Sequence, residues 1–204
     1  MKNLNYLLFG SLIVLLNSCT SYPIDPIEGD PIKAGLSENC NFINLSPDLE
    51  IPTPEYPGYE GETVPIDIDN NGTNDISFGY YQYSGNQGSN ENFDVAALNS
   101  EVLIIVDEDD PRIFEVGNVI KCDDTYSSGN YDLYDYDFTY AHASDSREDE
   151  IVETGIWKNV DRKCIVFKFL VAGEWRLGWI KIGMTDDNNK LIVYEYAYSK
   201  EAGC

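Results

Sequence analysis

The chain has 204 residues, and its 36 acidic residues outnumber its 13 lysines and arginines, so the formal net charge is −23 at pH 7. A surface this acidic repels nucleic acid and anionic lipid and attracts divalent cations. The composition therefore argues against nucleic acid and anionic lipid as partners and favours a protein that works outside the cytoplasm. The length suits one domain with a substantial hydrophobic core.

The first 18 residues have the pattern of an export signal: Lys2 supplies the positive charge, and residues 6–16 form an apolar segment too short to span a bilayer. The segment ends in Leu16-Asn17-Ser18-Cys19, which resembles the lipobox cut by lipoprotein signal peptidase. That resemblance implies that Cys19 becomes the first mature residue and carries acyl chains that bind the bilayer. We therefore expect a lipid-anchored protein of the bacterial cell envelope, in the outer membrane. An ordinary secretory signal is the alternative.

Seven of the nine prolines lie between Pro23 and Pro57, and residues 20–38 show almost no apolar periodicity. This composition predicts a flexible tether over residues 19–39 and a single domain over residues 40–204. The acidic residues of the tether loosely resemble the patch that routes some Bacteroidota lipoproteins to the cell surface. The sequence leaves open which face of the outer membrane the protein occupies.

From Val64 onward, apolar and polar residues alternate with a period of two, which is the pattern of half-buried strands. No segment after the signal favours a helix longer than about two turns. We predict an all-β fold, an antiparallel sandwich or jelly roll, with a hairpin turn at Asp186–Asn189. The predicted strands are Val64–Ile68, Ile76–Tyr83, Glu101–Val106, Ile113–Lys121, Tyr134–Tyr140, Ile151–Val160, Cys164–Val171, Trp175–Gly183 and Leu191–Tyr198.

The segment from Asp67 to Asp75 has the spacing of a calcium-binding loop. Side-chain oxygens stand at positions one, three, five and nine, Gly72 at position six permits a left-handed turn, and the Thr73 carbonyl can serve position seven. Position twelve, a bidentate glutamate in an EF-hand, is Phe78 here, and the flanks are strands. We predict a Ca²⁺ site with the ligands Asp67, Asp69, Asn71, Thr73 and Asp75. A polar hairpin turn is the alternative.

Three segments together resemble a broad group of secreted or surface-anchored bacterial β-domains. They are the loop with its flanks (Ile66–Phe78), Gly178-Trp179-Ile180, and the strand Tyr194–Tyr198, and they occur in that order across most of residues 60–203. The resemblance implies a β-sandwich on the cell surface, in a group of mostly uncharacterised function. The chain departs from that pattern at Asn71, where aspartate is common, and in its four cysteines after Cys19.

Cys40, Cys122, Cys164 and Cys204 are an even number of cysteines in an exported chain, which predicts two disulfides. Three pairings are open, and we prefer Cys40 with Cys204 and Cys122 with Cys164. A metal–thiolate site is the rival, but the spacing offers no CxxC pair and His142 is the single histidine.

Tyrosines interleaved with aspartates, among them Tyr126, Tyr131 and Tyr134, suggest a surface for a glycan or a protein partner, because tyrosine faces stack on sugar rings and carboxylates accept hydroxyl hydrogens. Packing of these rings in the core is the stronger interpretation, since Tyr134 and Tyr136 alternate like the buried face of a strand.

No nucleophile and base are recognisable in the sequence. Our leading hypothesis is a non-enzymatic binding or accessory module stiffened by calcium. The alternative is a carbohydrate-active enzyme of sandwich fold that uses paired carboxylates, such as those in Asp107–Asp110 or Asp149-Glu150.

Overall fold

The computed structural model describes residues 32–52, 63–85, 88–139, 150–185 and 190–202. In these ranges the chain forms β-strands and no helix, so none of the described residues belongs to a helix that could cross a membrane. The predicted all-β, sandwich-like fold is confirmed. The strands are β1 (Cys40–Pro52), β2 (Thr63–Ile66), β3 (Ile76–Gly85), β4 (Gly88–Ala97), β5 (Val102–Asp107), β6 (Asp110–Pro111), β7 (Tyr126–Ser127), β8 (Asn130–Thr139), β9 (Glu150–Thr154), β10 (Lys163–Val171), β11 (Glu174–Met184) and β12 (Lys190–Ser199).

The strands form two antiparallel sheets. The larger sheet has the order β1-β12-β11-β10-β5-β6, with β7 paired to β5, and the smaller sheet has the order β2-β3-β4-β8-β9. Their inner faces meet in the main hydrophobic core, because alternate residues of each strand point to the same side. The larger sheet contributes Phe167, Phe169, Ile180 and Ile182, and the smaller sheet contributes Phe78, Tyr80, Phe93 and Val95.

The segment Gly178-Trp179-Ile180 shows why β11 has its particular sequence. Gly178 lies opposite Phe167 of β10, and a Cβ atom on Gly178 would be 2.2 Å from the Phe167 ring. The glycine therefore leaves room for the ring in the main core. Trp179 points to the opposite face, where it is fully buried and donates its ring N–H to the Leu36 carbonyl at 3.2 Å.

The central strands of the larger sheet are also buried on their outer face. Residues 32–39 and 112–125, together called the cover layer below, pack on it around a second hydrophobic cluster. The cluster includes Ile32, Ala34, Phe114 and Ile120 from the cover layer and Cys164, Val166, Leu177 and Trp179 from the sheet. The larger sheet thus lies between two apolar layers.

The cover layer corrects the predicted tether. Ile32 and Ala34 are buried, and Lys33 forms a β-bridge with Val119. Residues 32–39 therefore belong to the folded domain, because their apolar side chains complete the cover of the larger sheet. The predicted signal peptide, Cys19 and residues 20–31 lie outside the described residues.

One predicted strand is absent, and another is shorter than predicted. Residues 113–121 form no strand, because a turn with Gly117 at a φ of +93° interrupts them and only isolated bridges connect their ends to neighbours. The segment predicted from Ile151 to Val160 ends as β9 at Thr154, directly before Gly155 at a φ of +102°. The strands β1 and β4 and the two-residue strands β6 and β7 are additional to the prediction. The predicted turn at residues 186–189 lies outside the described residues, and the strands on either side of it pair as a hairpin does.

The preferred disulfide pairs, Cys40–Cys204 and Cys122–Cys164, are wrong, because Cys40 and Cys164 are both free. Nor can Cys40 and Cys164 pair with each other, since β12 and β11 lie between their strands. Three strand spacings alone separate them by roughly 14 Å, already well beyond the reach of a disulfide. The register separates them further, because Asn41, next to Cys40, lies level with Phe167 and not with Cys164. Cys122 is disulfide-bonded. Cys204 lies outside the described residues.

Both free cysteines lie in the apolar cluster under the cover layer. Burial raises the pKa of the Cys164 thiol from 9.0 to about 12, and burial also raises the pKa of Cys40. Because the thiolate is the form that is oxidised or alkylated, these two thiols are chemically protected in the folded protein.

We therefore expect iodoacetamide to leave Cys40 and Cys164 unmodified in the folded protein at about pH 8, and to modify both after unfolding in guanidinium without reductant. Cys122 should react only after reduction. Peptide mass spectrometry distinguishes the three cysteines. An unfolded, unreduced chain in which neither Cys40 nor Cys164 is alkylated would show that both are oxidised.

Candidate metal site

The predicted calcium-binding loop connects β2 to β3, at one end of the smaller sheet. Asp67, Asp69 and Asp75 each place a carboxylate oxygen within 4.8 Å of the others. Asn70 and Gly72 adopt φ values of +60° and +90°, and these left-handed residues let a short loop curl around a central point. The structure thus brings together the three predicted carboxylates.

Asp75 closes the loop at its base. Its backbone N–H donates to the Ile66 carbonyl at 2.9 Å, and its carboxylate accepts the N–H of Ile68 at 2.8 Å. Ile68 is fully buried in the main core, so the loop is attached to the sandwich by a hydrophobic side chain as well as by these hydrogen bonds. Asp75 itself is only 6% exposed.

Backbone N–H groups hold the other oxygens of the loop in position. The Asp67 carboxylate accepts the N–H groups of Asn71 and Gly72, at 3.1 and 2.7 Å. Asp69 also accepts from the N–H of Asn71 at 3.1 Å. A carboxylate has about four lone-pair positions, so each of these groups keeps capacity for a cation. The loop is therefore organised by its own backbone.

The predicted ligands Asn71 and Thr73 lie at the exposed tip of the same loop. The side-chain oxygen of Asn71 accepts the N–H of Thr73 at 2.7 Å. Both residues border the three carboxylates along the chain, and their role as ligands stays a prediction.

The three carboxylates repel one another. Burial raises the pKa of Asp75 above its ordinary value, and the charges of Asp69 and Asp67 raise it further, against the hydrogen bond from Ile68. The negative charge of the loop also affects Tyr196 in the larger sheet. Burial is the main cause that raises the pKa of Tyr196, and the charge of Asp67 raises it further. Burying Asp75 beside two further carboxylates is costly unless a cation offsets their charge.

The three tyrosines predicted to bind a partner do not form one surface. Tyr126 lies in the larger sheet and Tyr131 in the smaller one, and both rings are half-buried. The hydroxyl of Tyr126 donates to the Lys121 carbonyl at 2.9 Å, while Lys168 lies 4.3 Å from the centre of its ring. Tyr134 is in β8, and its side chain lies outside the described part of the chain.

Two groups of acids were considered for catalysis. The first, residues Asp107–Asp110, forms the tight turn between β5 and β6. Asp107 is engaged by the Arg112 guanidinium at 2.6 Å, which makes it a partner in an ion pair. Asp149 and the side chain of Glu150 lie outside the described residues.

The structure also shows a polar surface that the sequence did not reveal, on the outer face of the smaller sheet. We call it the polar face, and it consists of Thr63, Tyr81, Asn92, Asp94, Asn130 and Asp132. Tyr81 is 50% exposed. Asn92 donates to Asp132 at 3.0 Å, and Asn130 donates to Asp94 at 3.2 Å.

Gly79 shapes the middle of the polar face. It lies opposite Asp94, and a Cβ atom on it would be 2.4 Å from the Asp94 carboxylate, so the missing side chain accommodates that acid. Burial raises the pKa of Asp94, and the nearby charge of Asp132 adds to this effect. Two acids, two amides and an exposed ring thus lie side by side. The alternation of Phe93, Val95 and Ala97 in β4 is the signal that could have revealed this strand and its polar side.

Substitutions of Asp75 should separate its structural role from a role in metal binding. In chelator, Asp75→Ala should lower the free energy of unfolding by about 1–3 kcal/mol, because the buried N–H of Ile68 loses its acceptor. Asp75→Asn keeps an acceptor and removes one of three repelling charges, so it should be at least as stable as the parent in chelator. Urea denaturation measures both values. An Asp75→Asn variant as unstable as Asp75→Ala would contradict this role for charge repulsion.

Three convergent carboxylates with further oxygens alongside are the donor set of a hard divalent cation. A strand–loop–strand frame without a twelfth-position glutamate distinguishes this loop from an EF-hand. Comparisons of the chain with protein-family models, with curated proteins and with solved structures found no match.

Proposed function

We propose that this protein is a lipid-anchored cell-envelope protein whose β-sandwich binds Ca²⁺ in the β2–β3 loop and acts as a binding or accessory module. The observation that carries the proposal is the convergence of the Asp67, Asp69 and Asp75 carboxylates within 4.8 Å. A net charge of −23 adds to it, since a bound cation lowers the repulsion within an acidic domain.

Calcium at this loop stabilises the fold because the ion binds the native state and not the unfolded chain. The ion relieves the repulsion of three acids in the native state and finds no equivalent site in the unfolded chain. At a free concentration about a hundredfold above the dissociation constant, the gain is roughly 2.7 kcal/mol. Ile68 lies in the main core and Asp75 clamps the loop, so ordering of the loop is transmitted to both sheets.

We expect millimolar calcium to raise the melting temperature of the parent by several degrees relative to chelator. Asp69→Ala should abolish that difference, because it removes one of the three carboxylates. The matched control is Asp109→Ala, which removes an exposed acid elsewhere and should leave the calcium response unchanged. Differential scanning calorimetry measures all three proteins. A parent that melts at the same temperature with calcium and with chelator would favour a polar turn over a metal site.

The polar face supports the binding role. Carboxylates accept hydrogen bonds from sugar hydroxyls, amides donate and accept them, and an exposed tyrosine ring stacks on the apolar face of a sugar. These groups come from three adjacent strands, β3, β4 and β8, so a rigid sheet fixes their spacing. A hydroxyl-rich glycan suits this chemistry better than an anionic one, because the face carries Asp94 and Asp132.

A glycan array probed with the purified mature protein should therefore give signals that Tyr81→Ala weakens at least tenfold. The matched control is Phe42→Ala, which removes an aromatic ring of similar exposure from the larger sheet and should leave binding unchanged. Arrays probed with calcium and with chelator test whether the loop contributes. Equal binding by the parent and the Tyr81→Ala protein would place any glycan site elsewhere.

The lipid anchor has its own test. Changing Cys19→Ala should leave an uncleaved precursor without lipid, because the cysteine sulfur accepts the acyl group before cleavage. Intact-mass spectrometry of the membrane and soluble fractions reports both events. A Cys19→Ala protein that is processed and membrane-bound like the parent would contradict the lipobox interpretation.

A further inference from the structure

We propose that the cover layer is the surface by which the domain rests on the membrane, so that the smaller sheet and its polar face point away from the bilayer. The occupant of this surface is the phospholipid headgroup region. The inference rests on the proposed anchor at Cys19, and it adds an orientation that the anchor alone does not provide.

The first argument is where the chain reaches the domain. Twelve residues separate Cys19 from Ile32, so the two are thirteen steps apart, and at about 3.6 Å per step they can be at most roughly 47 Å apart. Ile32 is the first described residue, and it is fixed in the cover layer, where its carbonyl accepts the N–H of Ile120 at 3.0 Å. An anchor at Cys19 therefore keeps this side of the domain near the bilayer at a high effective concentration.

The second argument is the apolar surface beside that point. Val116 and Val119 are 49% and 47% exposed. They lie in the segment that is hydrogen-bonded to residues 32–34. There the Gly117 N–H donates to the Ala34 carbonyl at 2.8 Å. Phe42, 44% exposed, lies next to Trp179 on the same side of the larger sheet. Held near a bilayer, these side chains gain by leaving water.

The third argument is the distribution of charge between the two sides. The five strands of the smaller sheet contain seven acidic residues and no lysine or arginine. The cover layer is almost neutral, with three basic residues (Lys33, Arg112, Lys121) against four acidic ones (Glu38, Glu115, Asp123, Asp124). Anionic headgroups therefore repel the smaller sheet far more than the cover layer.

The test is hydrogen exchange of the lipidated mature protein in vesicles of phosphatidylethanolamine and phosphatidylglycerol, compared with the same protein in detergent micelles. Only material whose intact mass includes the acyl chains is used, so failure of the proposed anchor is recognised before exchange is measured. We expect slower exchange in vesicles for peptides covering residues 33–36 and 115–121, and unchanged exchange for peptides in β3 and β4.

The double variant Val116→Ser/Val119→Ser should lose this vesicle-dependent protection. Its matched control is Leu98→Ser/Ile156→Ser, which removes two apolar side chains of similar exposure outside the cover layer and should keep the protection. Melting temperatures in detergent verify that each variant is folded. A second measurement needs no variant: acetylation of Lys33 and Lys121 should be slower in vesicles, while acetylation of Lys158, which follows β9, should not change.

Protection of the smaller sheet, or equal exchange in vesicles and micelles by fully lipidated protein, would overturn the proposed orientation. If both double variants lose the vesicle-dependent protection, exposed apolar side chains in general, and not the cover layer, determine the orientation.

Discussion

The central strands of the larger sheet are buried on both faces, and the rest of the structure depends on that constraint. Its inner face needs the smaller sheet, which supplies the main core, and its outer face needs the cover layer, which supplies the second cluster. Residues such as Trp179 and Ile180 are successive in sequence and fully buried on opposite sides. These central strands have no open face to offer a ligand, so recognition falls to loops, edges and the smaller sheet.

The candidate metal site follows from the contact between the sheets. The loop from Asp67 to Asp75 begins and ends in the smaller sheet, yet Ile68 packs in the shared core, and the charges of Asp67 and Asp75 reach Tyr196 of the larger sheet. A cation bound at this loop would therefore act where the two layers meet. The polar face lies on the other side of the smaller sheet, so the proposed metal ion and the proposed partner would not compete for the same side chains.

Period-two alternation sufficed to predict the all-β fold, because strands such as β10 and β11 carry uninterrupted apolar residues on the inner face. The loop spacing likewise predicted the three converging acids. β1 was missed because Pro47 and the neighbouring polar residues hide its alternation, and β4 because Asn92 and Asp94 dominate its outer side. The sequence also could not indicate that residues 32–39 pack on the domain or that Cys40 and Cys164 stay apart, since both depend on contacts between segments distant in the chain.

The cover layer has a mechanical consequence. Any load that pulls a bound partner away from an anchored Cys19 passes through Ile32 before it reaches β1. The first described contacts on that path are the hydrogen bonds that join residues 32–34 to residues 117–120 of the same chain. These few bonds yield before the many bonds of the β1–β12 ladder. Tension would therefore uncover the outer cluster, including the buried thiols of Cys40 and Cys164, while both sheets remain folded.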